Sequence, residues 1–265
     1  MAERRHRSPE GRMSLGQHLV ELRRRLGIIG ISILLAAVGG WFLADIVWAQ
    51  LSNPVLEIAQ ERNRNAEINY TSVTEAFDTK IAIALVLGIV MSAPIWLYQV
   101  WAFFVPALLR QEKRYALGFL TASIPLFFAG VAMGWWIMPN VVTLLTSFAP
   151  EDSATLLTAK VYLDFSLKFV LAIGVGFVLP VFLVLLNFIG VLSAQSIIKG
   201  WRWAIVIIAL FTALATPAAD VVSMIILAIP MVGLYFVAAG IAWLHDRRVA
   251  AKARSWAAQN PASTS

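Results

Sequence analysis

The sequence predicts an all-α membrane protein with six transmembrane helices and with both termini in the cytoplasm. Of its 265 residues, 60% are hydrophobic and 14% are charged, whereas soluble domains have roughly 45–50% apolar and about 25% charged residues. This composition excludes an ordinary soluble, disordered or fibrous protein. The second observation is the length of the apolar stretches, and the third is the uneven distribution of the basic residues between them.

The apolar stretches predict the individual spans. A bilayer core of about 30 Å requires about 20 apolar residues in a helix. The basic tail 1–25 precedes the transmembrane domain 26–244, and the tail 245–265 is expected to be disordered. The first stretch is too long for the apolar part of a cleavable signal peptide. The predicted spans are 26–48, 77–98, 115–138, 164–189, 204–215 and 221–244.

The basic residues predict the orientation. The two tails and the alternate loops 99–114 and 190–203 hold 16 Lys and Arg residues, whereas loops 49–75 and 139–163 hold 3. Cytoplasmic loops carry such an excess of positive charge. The formal net charge of +6 is therefore explained by topology, and a nucleic-acid partner is not expected.

The fifth span and the prolines depart from a regular bundle. The fifth span has 12 residues, or about 18 Å of helix. Either this helix extends into its flanks, anchored by Trp201 and Trp203, or the bilayer is thinned around it. Kinks at the prolines could give shape alone or could curve the helices around a concave face. The prolines within predicted spans are Pro94, Pro125, Pro180 and Pro230.

Small and charged residues within the spans suggest further contacts. Gly130 and Gly134 form a G-x-x-x-G pattern, which favours close helix packing, more within the chain than in a dimer. Asp164 and Lys168 are four residues apart and can pair on one helix face. Asp78 and Lys80 do not face each other. These charges indicate either snorkelling at the interface or a hydrated groove.

The sequence lacks the residues of most catalytic and metal sites. It contains no Cys and only three His, and it has no recognisable hydrolase, zinc-protease or nucleotide-binding motif. We expect no enzymatic activity, no cofactor and no metal. A secondary transporter for small solutes is the alternative function, but it would need polar residues converging at the bilayer midplane, which are sparse here.

Two acids stand out on the predicted basic side. They are Glu21 in HLVELRRRL (18–26) and Glu112 in ALLRQEKR (107–114). One interpretation is local pairing, of Glu21 with Arg25 and of Glu112 with neighbouring bases. The other is a pair of carboxylates that binds a guanidinium ligand. Spacing alone does not decide between them.

Motifs along residues 15–245 give a resemblance. HLVELRRRL resembles the opening of TatC, the multi-spanning subunit of the twin-arginine protein translocase. SAPIWLYQVWAFFVPALLRQEKR (92–114) is similar to that family's first cytoplasmic loop and is the most specific match. TSVTEAFDTKI (71–81), PVFLVLLNFIGVLS (180–193) and TPAADVVSMIILAIPM (216–231) resemble its later segments in the same order.

The resemblance implies a fold and a function. It implies six kinked helices in a cupped arrangement in the bacterial cytoplasmic membrane. TatC-like proteins bind the signal peptides of folded precursors, which carry two adjacent arginines, and assemble with single-span TatA- and TatB-like subunits. Self-association is also expected, and transport draws on the proton-motive force. By motif matching, Glu21 and Glu112 are the signal-peptide carboxylates, with Phe103 and Arg23 beside them.

The chain departs from the family pattern at two places. Many relatives have an acid in a Phe-Glu-x-Pro motif of span four, where this chain has Val178; Lys168 is a candidate polar substitute. Before span six the chain reads Thr216-Pro217-Ala218-Ala219-Asp220, one residue longer than usual, with Met224 where relatives have Gln. Thr216, Asp220, Met224 and Lys168 are therefore candidate residues of the concave, partner-docking face.

Overall fold

The computed structural model describes residues 15–61, 67–104, 112–147, 156–215 and 221–259. Over these residues the chain is almost entirely helical, with two three-residue strands. The elements are α1 (Leu15–Glu61), β1 (Glu67–Asn69), α2 (Glu75–Met91), α3 (Ala93–Phe104), α4 (Glu112–Ser147), β2 (Leu156–Thr158), α5 (Ala159–Phe188), α6 (Ala194–Lys199), α7 (Trp201–Ala215) and α8 (Val221–Gln259).

The long helices account for most of the predicted spans. Among the described residues, α1, α4, α5 and α8 each contain a stretch long and apolar enough to cross a membrane. Helices α2 and α3 meet this criterion together as a bent pair, and α7 is a shorter apolar helix. The chain thus has several spanning-capable helices, while the count of six remains a prediction.

The predicted second span is divided at Ser92, where α2 and α3 meet at an angle of 58°. Pro94 has no N–H to continue the helix, which is the usual cause of a sharp kink. Trp96 Nε1 donates to the carbonyl of Ile89 at 2.9 Å, and Ser92 Oγ donates to the carbonyl of Gly88 at 2.6 Å. These side chains bind backbone oxygens next to the break and so stabilise the bend.

A parallel two-stranded ladder joins two segments that the sequence assigned to polar loops. Strand β1 pairs with β2, with Glu67 opposite Leu156 and Asn69 opposite Thr158. No strand was predicted there, because three residues are too few to show an alternating pattern. We call this the ladder end of the molecule, and the opposite end, where α1 begins, the N-terminal end.

Helices α4 and α5 pack closely through the predicted glycine pattern. A Cβ added at Gly130 would lie 2.8 Å from the carbonyl oxygen of Ile173, and one at Gly134 would lie 3.0 Å from the Cα of Val170. Both positions therefore need glycine for the two backbones to approach. The expectation that this pattern serves a contact within the chain is confirmed.

Of the charged residues within the predicted spans, Asp78 and Lys80 do not pair, as expected, and the possible Asp164–Lys168 pair does not form. Lys80 Nζ lies 2.7 Å from Asp45 Oδ2 of α1 and 5.1 Å from the centre of the Trp41 ring. Among the described residues, Asp164 and Lys168 form no ion pair. Sequence spacing identified a pair that can form, but it did not reveal the cross-helix partner of Lys80.

The fifth span and the C-terminal tail are both longer as helices than predicted. Helix α7 begins at Trp201, so it does extend into its flank, but its 15 residues still span only about 22 Å. Helix α8 continues through Gln259, into the stretch expected to be disordered. Asp246 in this extension accepts hydrogen bonds from the Ala194 N–H at 2.7 Å and from Asn187 Nδ2 at 2.9 Å, which ties α8 to α5 and α6.

Candidate functional site

The first turns of α1 pack against α3 at the N-terminal end. The His18 and Phe103 rings are 4.3 Å apart between centroids. Glu21 lies about one turn and Arg25 about two turns beyond His18 on α1. Arg25 contacts both helices: its Nη2 lies 2.5 Å from Glu21 Oε1, and its Nη1 donates to Gln99 Oε1 of α3 at 3.0 Å. Three of these contacting residues lie on α1 and two on α3, so the site is formed by a helix pair.

Glu21 is held by Arg25 but remains accessible. Its side chain is 28% exposed, and Arg25 is its one ion-pair partner among the described residues. The local pairing considered from the i,i+4 spacing is therefore present. A carboxylate can accept several hydrogen bonds from a second guanidinium, so this pairing does not exclude a ligand.

The other predicted signal-peptide residues are placed differently. Phe103 lies near the end of α3 and contacts His18, so the structure brings it into the same site as Glu21. Arg23 is exposed and, two residues from both Glu21 and Arg25, lies on a different helix face. Glu112 is the first residue of α4, and its side chain lies outside the described residues.

The residues predicted for the concave face are only partly described. Thr216 and Asp220 lie outside the described residues. Met224 is half-buried in α8, and Lys168 is exposed on α5. Val178 is buried in an apolar cluster with Ala93 and Leu97. Lys168 is ten residues from Val178, or about 15 Å along the helix, so its charge lies at a different depth from the family's span-four acid.

An apolar groove that the sequence did not reveal lies between α5, α6, α7 and α8. Its volume is about 620 Å³. The signal available in the sequence was the short fifth span, because a helix that does not fill the bilayer leaves part of its neighbours uncovered. The lining of the groove includes Pro180, Leu183, Ile197, Trp203, Ile207 and Tyr235.

A second carboxylate, which was not among the predicted site residues, lies at the ladder end. Glu75 is 2% exposed. Its Oε2 accepts from the Thr71 N–H at 2.5 Å, the Thr71 hydroxyl at 2.6 Å and the Ser72 N–H at 3.3 Å. Its Oε1 accepts from the Lys160 N–H at 3.0 Å, which connects α2 to α5. The spacing Ser72-x-x-Glu75 is a capping-box pattern and could have identified this residue.

Metal binding receives no support from the described part of the chain. Among those residues, no group of three or more His, Asp or Glu side chains is arranged to hold a metal ion. The residues at the α1–α3 site allow ionic and hydrogen-bonding recognition by the Glu21 carboxylate, next to the His18 and Phe103 rings.

Comparison with known proteins identifies the family. The TatC family, Sec-independent protein translocase protein, matches residues 17–230. The TatC protein of Xylanimonas cellulosilytica is 42% identical over 237 residues, covering 89% of this chain and 86% of that protein. The TatC proteins of Rothia mucilaginosa and Escherichia coli are 39% and 32% identical, covering 91% and 86% of this chain and 83% and 87% of their own lengths.

A solved structure agrees with this result. The crystal structure of a twin-arginine translocase receptor, TatC, superposes with a TM-score of 0.75 at 31% identity, covering 86% of this chain and 98% of that one. The match in sequence and in fold extends over most of both chains. The chain is therefore a multi-pass membrane protein that belongs to the TatC family of Sec-independent protein translocase proteins.

Proposed function

We propose that this protein is the translocase subunit that binds twin-arginine signal peptides of folded precursors at the N-terminal end. Glu21 and Glu112 contact the two arginines, and Phe103 and Arg23 border the site. The observation that carries the proposal is the partly exposed Glu21 carboxylate at the α1–α3 junction. It is one of few acids on a strongly basic side, so an arginine pair is attracted there while other cationic ligands are repelled.

Precursor binding tests this proposal. Glu21→Ala and Glu112→Ala should each weaken co-purification of a twin-arginine precursor about tenfold or more, since a hydrogen bond to a charged group contributes about 1.5–3 kcal/mol. A precursor with two lysines should bind weakly to every variant, because lysine cannot bind a carboxylate bidentately. Glu10→Ala, in the same N-terminal segment, is the matched control. Unchanged binding by both variants would contradict the proposal.

The orientation is proposed with the function. Four long helices, the bent α2–α3 pair and the short α7 support six crossings, and the distribution of Lys and Arg supports termini in the cytoplasm. A phosphatase fused after Arg254 should then be inactive, because this reporter works only outside the cytoplasm. An active fusion would overturn the orientation and, with it, the cytoplasmic position of Glu21.

The translocation complex is proposed to assemble on the opposite flank of the molecule, in the cytoplasmic membrane, and transport is proposed to draw on the proton-motive force. The apolar groove between α5 and α8 suits the single helix of a TatA- or TatB-like subunit, and we propose Thr216, Asp220, Met224 and Lys168 as further partner-docking residues. The short α7 supports local bilayer thinning there. A photo-crosslinker at Ile207 should capture such a partner, whereas one at Leu35 on α1 should not; equal capture at both would contradict this docking.

A further inference from the structure

A small cavity lies between α2 and α5, one helical turn from Glu75. Its volume is about 30 Å³. A cavity needs only about 10–15 Å³ to hold one water molecule, so this one has room for a single small occupant. Its lining is mixed in charge and polarity: Asp78, Thr79, Ala82, Lys160, Leu163 and Asp164.

Thr79 shows that this cavity needs an occupant. The residue is 5% exposed, and its hydroxyl oxygen has no hydrogen-bond partner among the described residues. A buried hydroxyl without a partner is costly, and nearly all such groups in proteins are satisfied by protein atoms or by ordered water. No described residue supplies that partner, and Thr79 is one of the residues that line the cavity, so a molecule bound there can supply it.

The lining favours water over a cation. Asp78 and Asp164 can supply acceptors, and the positive charge of Lys160, which is also a lining residue, opposes a second positive charge. Water can donate to a carboxylate and also donate to or accept from the Thr79 hydroxyl. A buried water typically makes about three hydrogen bonds, and this lining offers that number.

Two of the lining residues begin a line of polar residues on α5. Lys160, Asp164 and Lys168 are spaced by four residues, so they share one helix face. Lys160 and Lys168 are exposed, and Asp164 is half-buried. Side chains on a helix lean toward its N-terminus, which for α5 is the ladder end. Lys168 therefore leans toward Asp164, with which it forms no ion pair among the described residues, and within a membrane it needs hydration.

We propose that α2 and α5 hold one ordered water between the Thr79 hydroxyl and the carboxylates of Asp78 and Asp164, and that water follows the α5 face from there to Lys168. This hydration site lies at the ladder end, away from the α1–α3 site, and its existence does not depend on signal-peptide binding. The proposal places water beside Lys168, one turn beyond the start of the predicted fourth span at Asp164.

Cysteine accessibility tests the path of the water. The chain has no Cys, so each variant carries one thiol. Lys168→Cys should react with a membrane-impermeant maleimide added from the ladder side. Leu85→Cys is the depth-matched control: the position is 39% exposed, lies about as far along α2 as Lys168 lies along α5, and has only apolar neighbours one turn away on its own helix. We expect at least tenfold faster labelling of Lys168→Cys; equal rates would overturn the proposal.

Thr79 variants test the bound water itself. Thr79→Val keeps the shape but removes the hydroxyl. If water is bound, Tm should fall by about 2–4 °C and labelling at Lys168→Cys should slow, whereas Thr79→Ser should keep the labelling rate. If the cavity is dry, removing an unsatisfied hydroxyl should raise Tm, which would overturn the proposal. A Tm that depends on Na⁺ or K⁺ concentration would identify a cation instead of water and would also overturn the proposal.

Discussion

Glu21 at the N-terminal end and Glu75 at the ladder end are both carboxylates in the first turns of a helix, but their surroundings differ. Glu75 is buried and accepts four hydrogen bonds, three of them from backbone N–H groups. Glu21 is partly exposed and has one ion pair with a neighbour on its own helix. A carboxylate whose acceptor positions are occupied stabilises the fold, whereas one with remaining capacity can bind a ligand.

The largest effect on stability is expected for Glu75→Ala. This change leaves the N–H groups of Thr71, Ser72 and Lys160 without their acceptor and disconnects the first turns of α2 and α5. Thermal unfolding in lipid nanodiscs, followed by tryptophan fluorescence, should show a much lower Tm, with Glu75→Gln intermediate because its amide oxygen still accepts. Glu21→Ala should change Tm little. Equal losses at both positions would break the comparison.

A substantial effect on stability is also expected where α4 packs against α5. Gly130→Ala would place a Cβ 2.8 Å from the Ile173 carbonyl oxygen, so α4 and α5 must separate at a cost of about 1–3 kcal/mol. The control is Gly118→Ala near the start of α4, where nothing lies within 4 Å; it should stabilise by about 0.4–1 kcal/mol. The same unfolding assay measures both signs, and a loss at Gly118 would contradict the packing argument.

A smaller effect is expected for Arg25→Met, which keeps much of the apolar stem but removes the charge. It breaks the contacts to Glu21 and Gln99, which are partly solvated, so the loss in unfolding free energy should be about 1 kcal/mol. Precursor affinity sharpens the comparison, because Glu21 loses its internal competitor. We expect tighter binding of a twin-arginine precursor; binding as weak as that of Glu21→Ala would show that Arg25 positions the carboxylate for the ligand.

The smallest effect is expected for Asp45→Asn. The Asp45 side chain is 76% exposed, and exposed ion pairs contribute about 0–1 kcal/mol. Its pair with Lys80 should therefore add little to the stability of the ladder end, and Tm should shift by no more than about 2 °C. A shift as large as that of Glu75→Ala would mean that this end depends on ion pairs and not on the Glu75 hydrogen bonds.

The sequence predicted local features better than distant contacts. Apolar stretches located the membrane helices, and the four-residue spacing of Glu21 and Arg25 indicated their pair, because both patterns are repeated within one helix. The contacts of Arg25 with Gln99 and of Glu75 with Lys160 join residues 74 and 85 positions apart. No periodicity reports such contacts, so the bridge between α1 and α3 could not be predicted.

The same limit explains the errors in element bounds. Residues 49–61 were assigned to a polar loop but continue α1, because the composition of a helix changes where it leaves the apolar region while its backbone does not. At Ser92 the opposite occurred, and an unbroken apolar stretch concealed a break whose signal was Pro94. The hydropathy of a segment indicates whether lipid or water surrounds it. Whether the backbone stays helical depends on its hydrogen bonds, which hydropathy does not report.

The β1–β2 ladder has a consequence for the order of synthesis. Strand β1 ends at Asn69, and its partner begins at Leu156, so the ribosome must add some further 90 residues before the ladder can close. At about 5–20 residues per second, this takes about 4–18 s. During that interval the first helices are in the membrane while Glu75 lacks the Lys160 N–H. The ladder therefore cannot close before the third span has been synthesised, and when it closes it brings the start of the fourth span to the end of α1 and the start of α2.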